Sequence, residues 1–430
     1  MLSALRRRQG DSVKPFWDLG LAVLRVIPAA LLEPTYAIAF WLVVLLVFFQ
    51  YRRVAGLEER LYGFVKNQPG HQTVLAMVQG LLGGAVGSFI LVFVGVSISA
   101  AGIPYLLPLA FLLYLVSPRL MCFSYAGGIV SAASLLFGFH RVNVGGIMAL
   151  VGILHLTESL LIWLSGFTCA TPVVIRNQRQ ELVGAFSLQK FWPVPIVVLA
   201  LRMIPDPARL GDLIQMPDWW PLLRADFIPD PNAAVYFLLP VMAAVGYAEV
   251  AITAKPREVS KRTALRLSAY SLVLLALAVW ASRSHWGVWP ATIFGPLGHE
   301  LVVRRSLRRE MRGQPWLRAG GPGVPVLDVM PGSPAAQLGM GPGDQILAIN
   351  GEPLQSAADI SVILSQPYLW LEFMVRRANG KTERMVWRGH MDRLGVMPVP
   401  APEEAQVAEV RPAGSILLGW LRSWWRRIHR

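Results

Sequence analysis

The sequence predicts an α-helical, polytopic membrane domain followed by a small α+β domain. Only 15% of the 430 residues are charged, and 54% are hydrophobic. An average soluble protein has about 25% charged residues. Between residues 17 and 300 the apolar residues form runs that approach the ~20 residues a helix needs to cross a bilayer. Residues 320–399 instead combine short strand patterns with turn signals.

The first 33 residues are predicted to form an amphipathic or hairpin segment. Arg6 to Arg8 are basic, but no short apolar core with a cleavage site follows them, so we expect no cleaved signal peptide. Residues 16–31 are amphipathic and contain Pro28. They predict a helix that lies on the membrane or pairs with the first span.

Apolar runs predict about eight or nine spans within residues 34–302. The runs at 191–204 and 286–302 are short, so either could be re-entrant or depend on its neighbours. The predicted spans are, in order, 34–50, 74–96, 103–117, 121–139, 144–165, 191–204, 232–253, 265–282 and 286–302.

One predicted span has small residues at helical spacing. Gly80 and Gly84 form a GxxxG pair, and Gly83 and Gly87 form a second pair that overlaps it. Such pairs let backbones approach closely where lipid provides no hydrophobic driving force. We expect packing inside the domain, and association of several copies is left open.

Basic loops predict the orientation of the chain. The net charge of +14 comes largely from short loops and the two ends, and no nucleic-acid motif accompanies it, so we expect no nucleic-acid partner. Loops 51–72, 166–190 and 254–264 are basic, which places them in the cytoplasm and loop 205–231 outside. The chain is therefore predicted to be a multi-pass protein of the cytoplasmic (plasma) membrane with its C-terminal domain in the cytoplasm.

The first half of residues 320–399 has the turn and cap signals of a compact domain. Val324–Val329 predicts a strand, and Pro334 follows a Ser cap at the first position of a short helix. Gln345–Ile349 predicts a second strand, and Asn350-Gly351 predicts a tight turn after it.

A second helix and a hairpin complete the predicted domain. Ser356 and Asp359 have capping-box spacing at the start of the helix. Residues 369–376 alternate, and Asn379-Gly380 turns them into a partner strand. The apolar side of the first hairpin strand consists of Leu369, Leu371, Phe373 and Val375. Strands with two short helices predict a small, partly open barrel.

This order of elements resembles a PDZ domain of the circularly permuted bacterial type. The resemblance rests on residues 331–335 (PGSPA) and 343–351 (GDQILAING). It implies that a peptide adds a strand to an exposed sheet edge beside a helix. The implied groove residues are Leu394, Gly395, Val396 and Met397 of a loop and Ala357, Ser361 and Leu364 of the helix. The alternative is that Leu394 and Val396 belong to the core of a last strand.

A His-Glu pair near the last span raises an enzymatic alternative. Intramembrane metalloproteases of the site-2 type need H-E-x-x-H, but Val303 replaces the second histidine after His299-Glu300. Cys122 and Cys169 match no metal or redox spacing. The residues available to a protease or transporter are His155, Glu158, Glu249, His299 and Glu300. The alternative is hydrogen bonding between helices, and we expect no catalytic residues, metal or cofactor.

A second resemblance rests on the segments 33–36 (EPTY), 50–53 (QYRR), 58–63, 297–300 (LGHE) and 394–396 (LGV). With these segments the chain resembles the MinJ family of cell-division topology proteins. One departure is that the family tends to have paired histidines before the last loop, where only His390 is near. The resemblance implies a non-enzymatic membrane scaffold at the septum or poles that links DivIVA to MinD.

The remaining segments are predicted to be connectors and a membrane-binding tail. A basic connector covers 303–319, and a Pro/Ala linker covers 400–414. Residues 415–430 combine arginines with apolar side chains, which is typical of a helix that lies on anionic lipid. The predicted membrane-surface residues are Trp420, Trp424, Trp425, Arg426 and Arg427. The alternative is a flexible tail or a helix that packs on the domain.

Overall fold

The computed structural model has a helical N-terminal region with several long apolar helices, followed by a strand-rich C-terminal region, as predicted. Among the described residues, five helices are long and apolar enough to cross a membrane, and two shorter apolar helices accompany them. The structure describes residues 4–7, 14–98, 103–138, 142–206, 213–223, 233–318, 321–389, 391 and 393–399.

The N-terminal region, residues 4–312, combines helices with a mixed sheet in which two long strands pair antiparallel. Its helices are α1 (Lys14–Leu32), α2 (Pro34–Tyr62), α3 (Pro69–Val94), α4 (Ile103–Val116), α5 (Phe123–Phe137), α6 (Val144–Ser165), α7 (Pro256–Ala281) and α8 (His285–Arg312). Its strands are β1 (Ala4–Arg7), β2 (Ala170–Arg176), β3 (Leu182–Met203), β4 (Leu213–Met216) and β5 (Ala234–Ala251). They lie in the order β2-β3-β5-β1-β4, with β1 and β4 parallel.

Two of the predicted helical spans are strands. Residues 191–204 lie almost entirely in β3, and residues 232–253 lie largely in β5, which pairs antiparallel with β3 along all 18 of its residues. The prediction of helices here is wrong, because a short apolar run does not by itself distinguish a buried strand from a helix. The run at 191–204 is rich in β-branched side chains and is too short for a spanning helix.

The glycines of α3 pack closely against β3 and α6. A Cβ added to Gly80 would lie 2.0 Å from the Pro193 carbonyl oxygen, and one added to Gly84 would lie 2.2 Å from that of Pro195. The other pair faces α6, where a Cβ on Gly87 would lie 2.5 Å from a threonine hydroxyl. The predicted internal packing is therefore present, with a strand as one of the two partners.

Side chains and a loop satisfy the backbone of β3 where β2 no longer pairs with it. From residue 191 to 199, every second residue of β3 directs its amide toward the edge that β2 does not cover. Two of these residues are prolines, which have no N–H to satisfy. The donors that remain are all bonded, as a buried sheet edge requires. The bonds join the Phe191 amide to the Tyr51 hydroxyl (3.3 Å), the Val197 amide to Ser88 Oγ (2.8 Å) and the Leu199 amide to the Val96 carbonyl (3.3 Å).

Lys190 is the last residue of the predicted basic loop 166–190, but in the structure it lies in a strand. It is fully buried in β3, with its ammonium group 5.6 Å from the centre of the Tyr51 ring. The predicted loop 166–190 is mostly the hairpin of β2 and β3, and its exposed basic residues are Arg176 and Arg179. These two arginines still place positive charge at the tip of that hairpin.

The predicted basic connector is largely helical. α8 continues without a break from the last apolar run to Arg312, because Glu310 anchors its final turns. The Glu310 carboxylate accepts the amides of Ile252 and Thr253, each at 2.9 Å, at the end of β5. The two strand residues of β6, Leu317–Arg318, then pair with β3.

The C-terminal domain, residues 321–399, is a small sheet with two short helices. Its elements are β7 (Val324–Val329), α9 (Pro334–Gln337), β8 (Gln345–Ile349), β9 (Glu352–Pro353), α10 (Ala357–Leu364), β10 (Trp370–Arg376), β11 (Thr382–Arg388) and β12 (Val396–Pro398). The main order is β11-β10-β8-β7-β12, and β9 pairs with β8.

The predicted elements of this domain agree with the structure except at one side chain. Ser356 and Asp359 form both bonds of the capping box, and Asn350-Gly351 turns with positive φ at both residues. Leu369 was placed on the apolar side of its strand, but it precedes β10 and is 90% exposed. The strand begins one residue later, so only the following alternate positions reach the core.

The C-terminal domain is docked against the N-terminal region. Leu327 of β7 and Val399 share a buried cluster with side chains of β3. A Cβ on Gly184 of β3 would lie 2.8 Å from Val399 Cγ2, so the approach is close. The Lys66 ammonium group, in the connection between α2 and α3, forms an ion pair with Asp328. The two regions are thus joined by apolar packing and by a charge pair.

Candidate functional site

The predicted groove lies between β12 and α10. β12 pairs with β7, and in the part of the chain that the structure describes no strand pairs with its other edge. Val396 on β12 and Ala357 and Leu364 on α10 are half-buried over the same apolar core. Ser361, between the two helix residues, is exposed. The structure therefore places β12 and α10 over one apolar core, and a peptide-binding cleft between them stays a prediction.

Leu394 and Met397 differ from the other predicted groove residues. Both side chains are buried, and Leu394 packs in the domain core. Gly395 has φ of +78°, and a Cβ there would lie 2.2 Å from Ser333 Cβ. This position needs glycine both for its conformation and for space. A substitution at Gly395 would therefore disturb the fold and not only the cleft.

The backbone at the start of β12 is oriented by two hydrogen bonds. The Ala335 amide donates to the Leu394 carbonyl at 3.0 Å, and the Met330 amide donates to the Gly395 carbonyl at 2.8 Å. In a trans peptide the N–H points opposite to the C=O. The amides of Gly395 and Val396 therefore point away from these partners. Adjacent amides beside a left-handed residue are suited to an anionic group such as a terminal carboxylate.

Three side chains converge where the start of α5, the helix α6 and the middle of α8 meet. Cys122 is the N-cap of α5, His155 lies in α6 and His299 lies in α8. Their ligand atoms all lie within 4.8 Å of one another. The sequence separations are 33 and 177 residues, so no local motif predicts the cluster, and Cys122 was missed. The sequence could predict such a site only if it also showed that α5, α6 and α8 pack together.

The acidic residues of the enzymatic alternative do not join this cluster. The Glu300 carboxylate accepts a hydrogen bond from Tyr125 and forms ion pairs with Arg304 (2.5 Å) and Arg119 (3.3 Å). The Glu300 carboxylate is therefore held by one tyrosine hydroxyl and two arginines. Glu158 is half-buried on α6, one turn after His155.

Glu249 lies in β5 and not in a helical span. Its carboxylate accepts hydrogen bonds from Tyr247 (2.6 Å) and from Ser306 of α8. Glu249 is thus hydrogen-bonded to a residue of another element, but its bonds join a strand to a helix and not two helices. Its contacts are those of a residue that joins β5 to α8.

The predicted membrane-surface residues lie outside the described residues, as does the whole segment 400–430. The membrane-binding tail therefore stays a prediction from its composition.

Comparison with known proteins identifies the C-terminal domain. Residues 326–367 match the PDZ domain family. The chain is also 22% identical over 392 residues to the probable cell division topological determinant MinJ of Lacticaseibacillus paracasei, which covers 88% of this chain and 99% of that protein. The predicted resemblance to MinJ is confirmed.

Two further relatives match smaller parts of the chain. The cell division topological determinant MinJ of Bacillus subtilis is 22% identical over 263 residues, which are 59% of this chain and 61% of that protein. The putative serine protease HhoB of Synechocystis is 33% identical over 111 residues, which are 25% of this chain and 24% of that protein. The long similarities are thus to proteins named as topological determinants, and the short one is to a protein named as a protease.

Proposed function

We propose that this chain is a non-enzymatic adaptor of the cytoplasmic membrane that acts in selection of the division site. In this proposal the PDZ domain docks a partner segment between β12 and α10. The observation that supports it most is the edge of β12 to which no described strand is paired, over the same core as half-buried apolar side chains of α10. An extended segment can add to such an edge through its backbone, and the cleft selects its side chains.

The long apolar helices fit this role because they confine the PDZ domain to a surface. In the proposed topology the chain crosses the membrane several times, and the PDZ domain lies in the cytoplasm at the septum or poles. Confinement raises the effective concentration of docking sites, so that weak contacts become sufficient. The close packing of the PDZ domain on β3 gives the cleft a fixed orientation to the membrane.

The resemblance to MinJ suggests the partners. We propose that the chain bridges DivIVA and MinD and that at least one of these contacts uses the cleft. The tail residues Trp420, Trp424, Trp425, Arg426 and Arg427 would add contact with anionic lipid.

A substitution that fills the cleft without disturbing the fold tests the proposal. Ser361→Tyr places a large side chain at an exposed position of α10, and Thr382→Tyr is its control at the opposite edge of the sheet. We expect crosslinking from native membranes to recover DivIVA or MinD with the wild type and with Thr382→Tyr, but not with Ser361→Tyr. Equal recovery with all three chains, or recovery of cleaved membrane substrates instead, would contradict the proposal.

A further inference from the structure

We propose that Cys122, His155 and His299 bind a zinc ion that joins α5, α6 and α8. Cys122 Sγ lies 3.2 Å from His155 Nε2 and 3.9 Å from His299 Nε2. Zinc bonds of about 2.3 Å to sulfur and about 2.0 Å to nitrogen, at tetrahedral angles, require sulfur-to-nitrogen distances of about 3.5 Å. The two observed distances lie on either side of this value. The ligand nitrogens of the two imidazoles lie within 4.8 Å of each other, so the rings would have to move together to complete a tetrahedral site.

Hydrogen bonds hold both imidazoles in the form that binds metal. His155 Nδ1 lies 2.8 Å from the Val151 carbonyl, which only accepts, so Nδ1 has the proton; in the neutral imidazole Nε2 then has the free lone pair. His299 Nδ1 lies 3.4 Å from the Tyr125 hydroxyl oxygen. That hydroxyl donates to the Glu300 carboxylate, so its oxygen accepts from His299 Nδ1. Both Nε2 atoms are therefore left to point at the sulfur.

This arrangement is the outer shell that metal-binding histidines usually have. Such histidines donate their other ring nitrogen to a carbonyl or a carboxylate, which fixes the ring and makes the ligand atom more basic. Here one imidazole is held by a backbone carbonyl, and the other is held by a tyrosine that is itself bonded to a carboxylate. The ring of Tyr270 packs edge-on against both imidazoles, with centroids 5.6 and 5.9 Å away.

The third ligand is also prepared for metal. Cys122 Sγ accepts the Ser124 amide at 3.3 Å, and this bond holds the sulfur at the N-terminus of α5. One thiolate with two imidazoles suits zinc, which accepts sulfur and nitrogen ligands together. Three protein ligands leave one position of a tetrahedral ion for a water molecule. Because α8 leads directly to the PDZ domain, the ion would also fix the helix on which that domain is mounted.

Zinc content of the purified full-length chain tests the site. The variants are Cys122→Ser and His299→Gln, which remove ligands, and Tyr125→Phe, which removes only the partner of His299. Cys169→Ser is the matched control, because Cys169 is bonded to Gln72 and Lys190 and lies outside the cluster. Thermal unfolding with and without a chelator shows independently whether the folded chain holds a metal.

We expect one zinc ion per chain in the wild type and in Cys169→Ser, and substituted cobalt should show thiolate charge-transfer absorption in both. Cys122→Ser and His299→Gln should lose the zinc, and Tyr125→Phe should bind it about 10- to 100-fold more weakly. A chelator should lower the melting temperature of the wild type. Zinc at the level of Cys122→Ser in the wild type, equal loss in Cys169→Ser, or retention of copper in preference to zinc would overturn the assignment.

Discussion

At the scale of single residues, the glycines of α3 and the prolines of β3 fit each other. Proline supplies no N–H at the positions where the helix comes closest, and glycine supplies no Cβ that would meet the proline carbonyls. Each residue type would be unfavourable in its own element, since glycine weakens helices and proline interrupts sheets. Together they let a helix and a strand edge approach without an unsatisfied donor between them.

Gly80→Ala should therefore destabilise the chain. The added Cβ would lie 2.0 Å from the Pro193 carbonyl oxygen, and overpacking of this kind costs about 1–3 kcal/mol or more. Gly56→Ala in α2 is the control, because nothing lies within 4 Å of its added Cβ, and it should stabilise by about 0.5–1 kcal/mol. Thermal unfolding of both variants in detergent measures the difference, and equal effects would contradict the close contact.

Asp359 makes the start of α10 sensitive to acid. Its carboxylate accepts the backbone amides of Gln355 and Ser356, and these bonds lower the pKa of Asp359 below its usual range. The ionised form thus stabilises the folded helix above the usual Asp pKa of about 3.9, and this stabilisation is lost as the pH falls through the lowered value.

Hydrogen exchange of the α10 amides, corrected for intrinsic rates, should show weaker protection at acidic pH. In Asp359→Asn this part of the pH dependence should be absent. Unchanged acid sensitivity in the variant would show that another group is responsible.

At the scale of elements, β3 shows why part of the fold could not be predicted from the sequence. Its apolar run has no alternation because both faces are buried, and such a run resembles a short membrane span. The partners of its edge are far away in the chain, at Tyr51, Ser88 and Val96. The short elements of the PDZ domain were predictable because each has a local cap or turn signal.

Ser88→Ala tests the role of side chains at this strand edge. The change removes the acceptor of the Val197 amide and leaves a buried donor unsatisfied, which costs about 1–3 kcal/mol. Ser131→Ala is the control, because Ser131 Oγ is buried without a partner among the described residues, and its removal should be neutral or stabilising. The measurement is the free energy of unfolding of both variants. Equal values would show that the Ser88 hydroxyl does not stabilise β3.

At the scale of the whole molecule, the PDZ domain is mounted on the N-terminal region and does not hang from a flexible tether. This contact joins Lys66 to Asp328, two residues whose separation in the sequence gives no signal. The same holds for Cys122, which reaches two histidines only through the packing of three helices. The sequence therefore predicted the PDZ domain, but not its docking or the cysteine-histidine cluster.

Lys66→Met should loosen this docking. It removes the partner of the buried Asp328 carboxylate, and an uncompensated charge at a packed interface favours separation of the two surfaces. Lys381→Met, in an exposed turn, is the control. Distances between spin labels on the two regions should broaden in Lys66→Met only. Equally narrow distributions in both variants would show that apolar packing alone holds the domain.

Photo-crosslinking in living cells tests most directly the proposal that a division protein docks between β12 and α10. A photoreactive residue at position 361 of the full-length chain, within the cleft, should crosslink to a division protein of the cytoplasmic face, whereas one at position 382 should not. Crosslinks from position 361 to an extracellular protein, or equal crosslinks from both positions, would contradict a cytoplasmic adaptor that binds through β12 and α10.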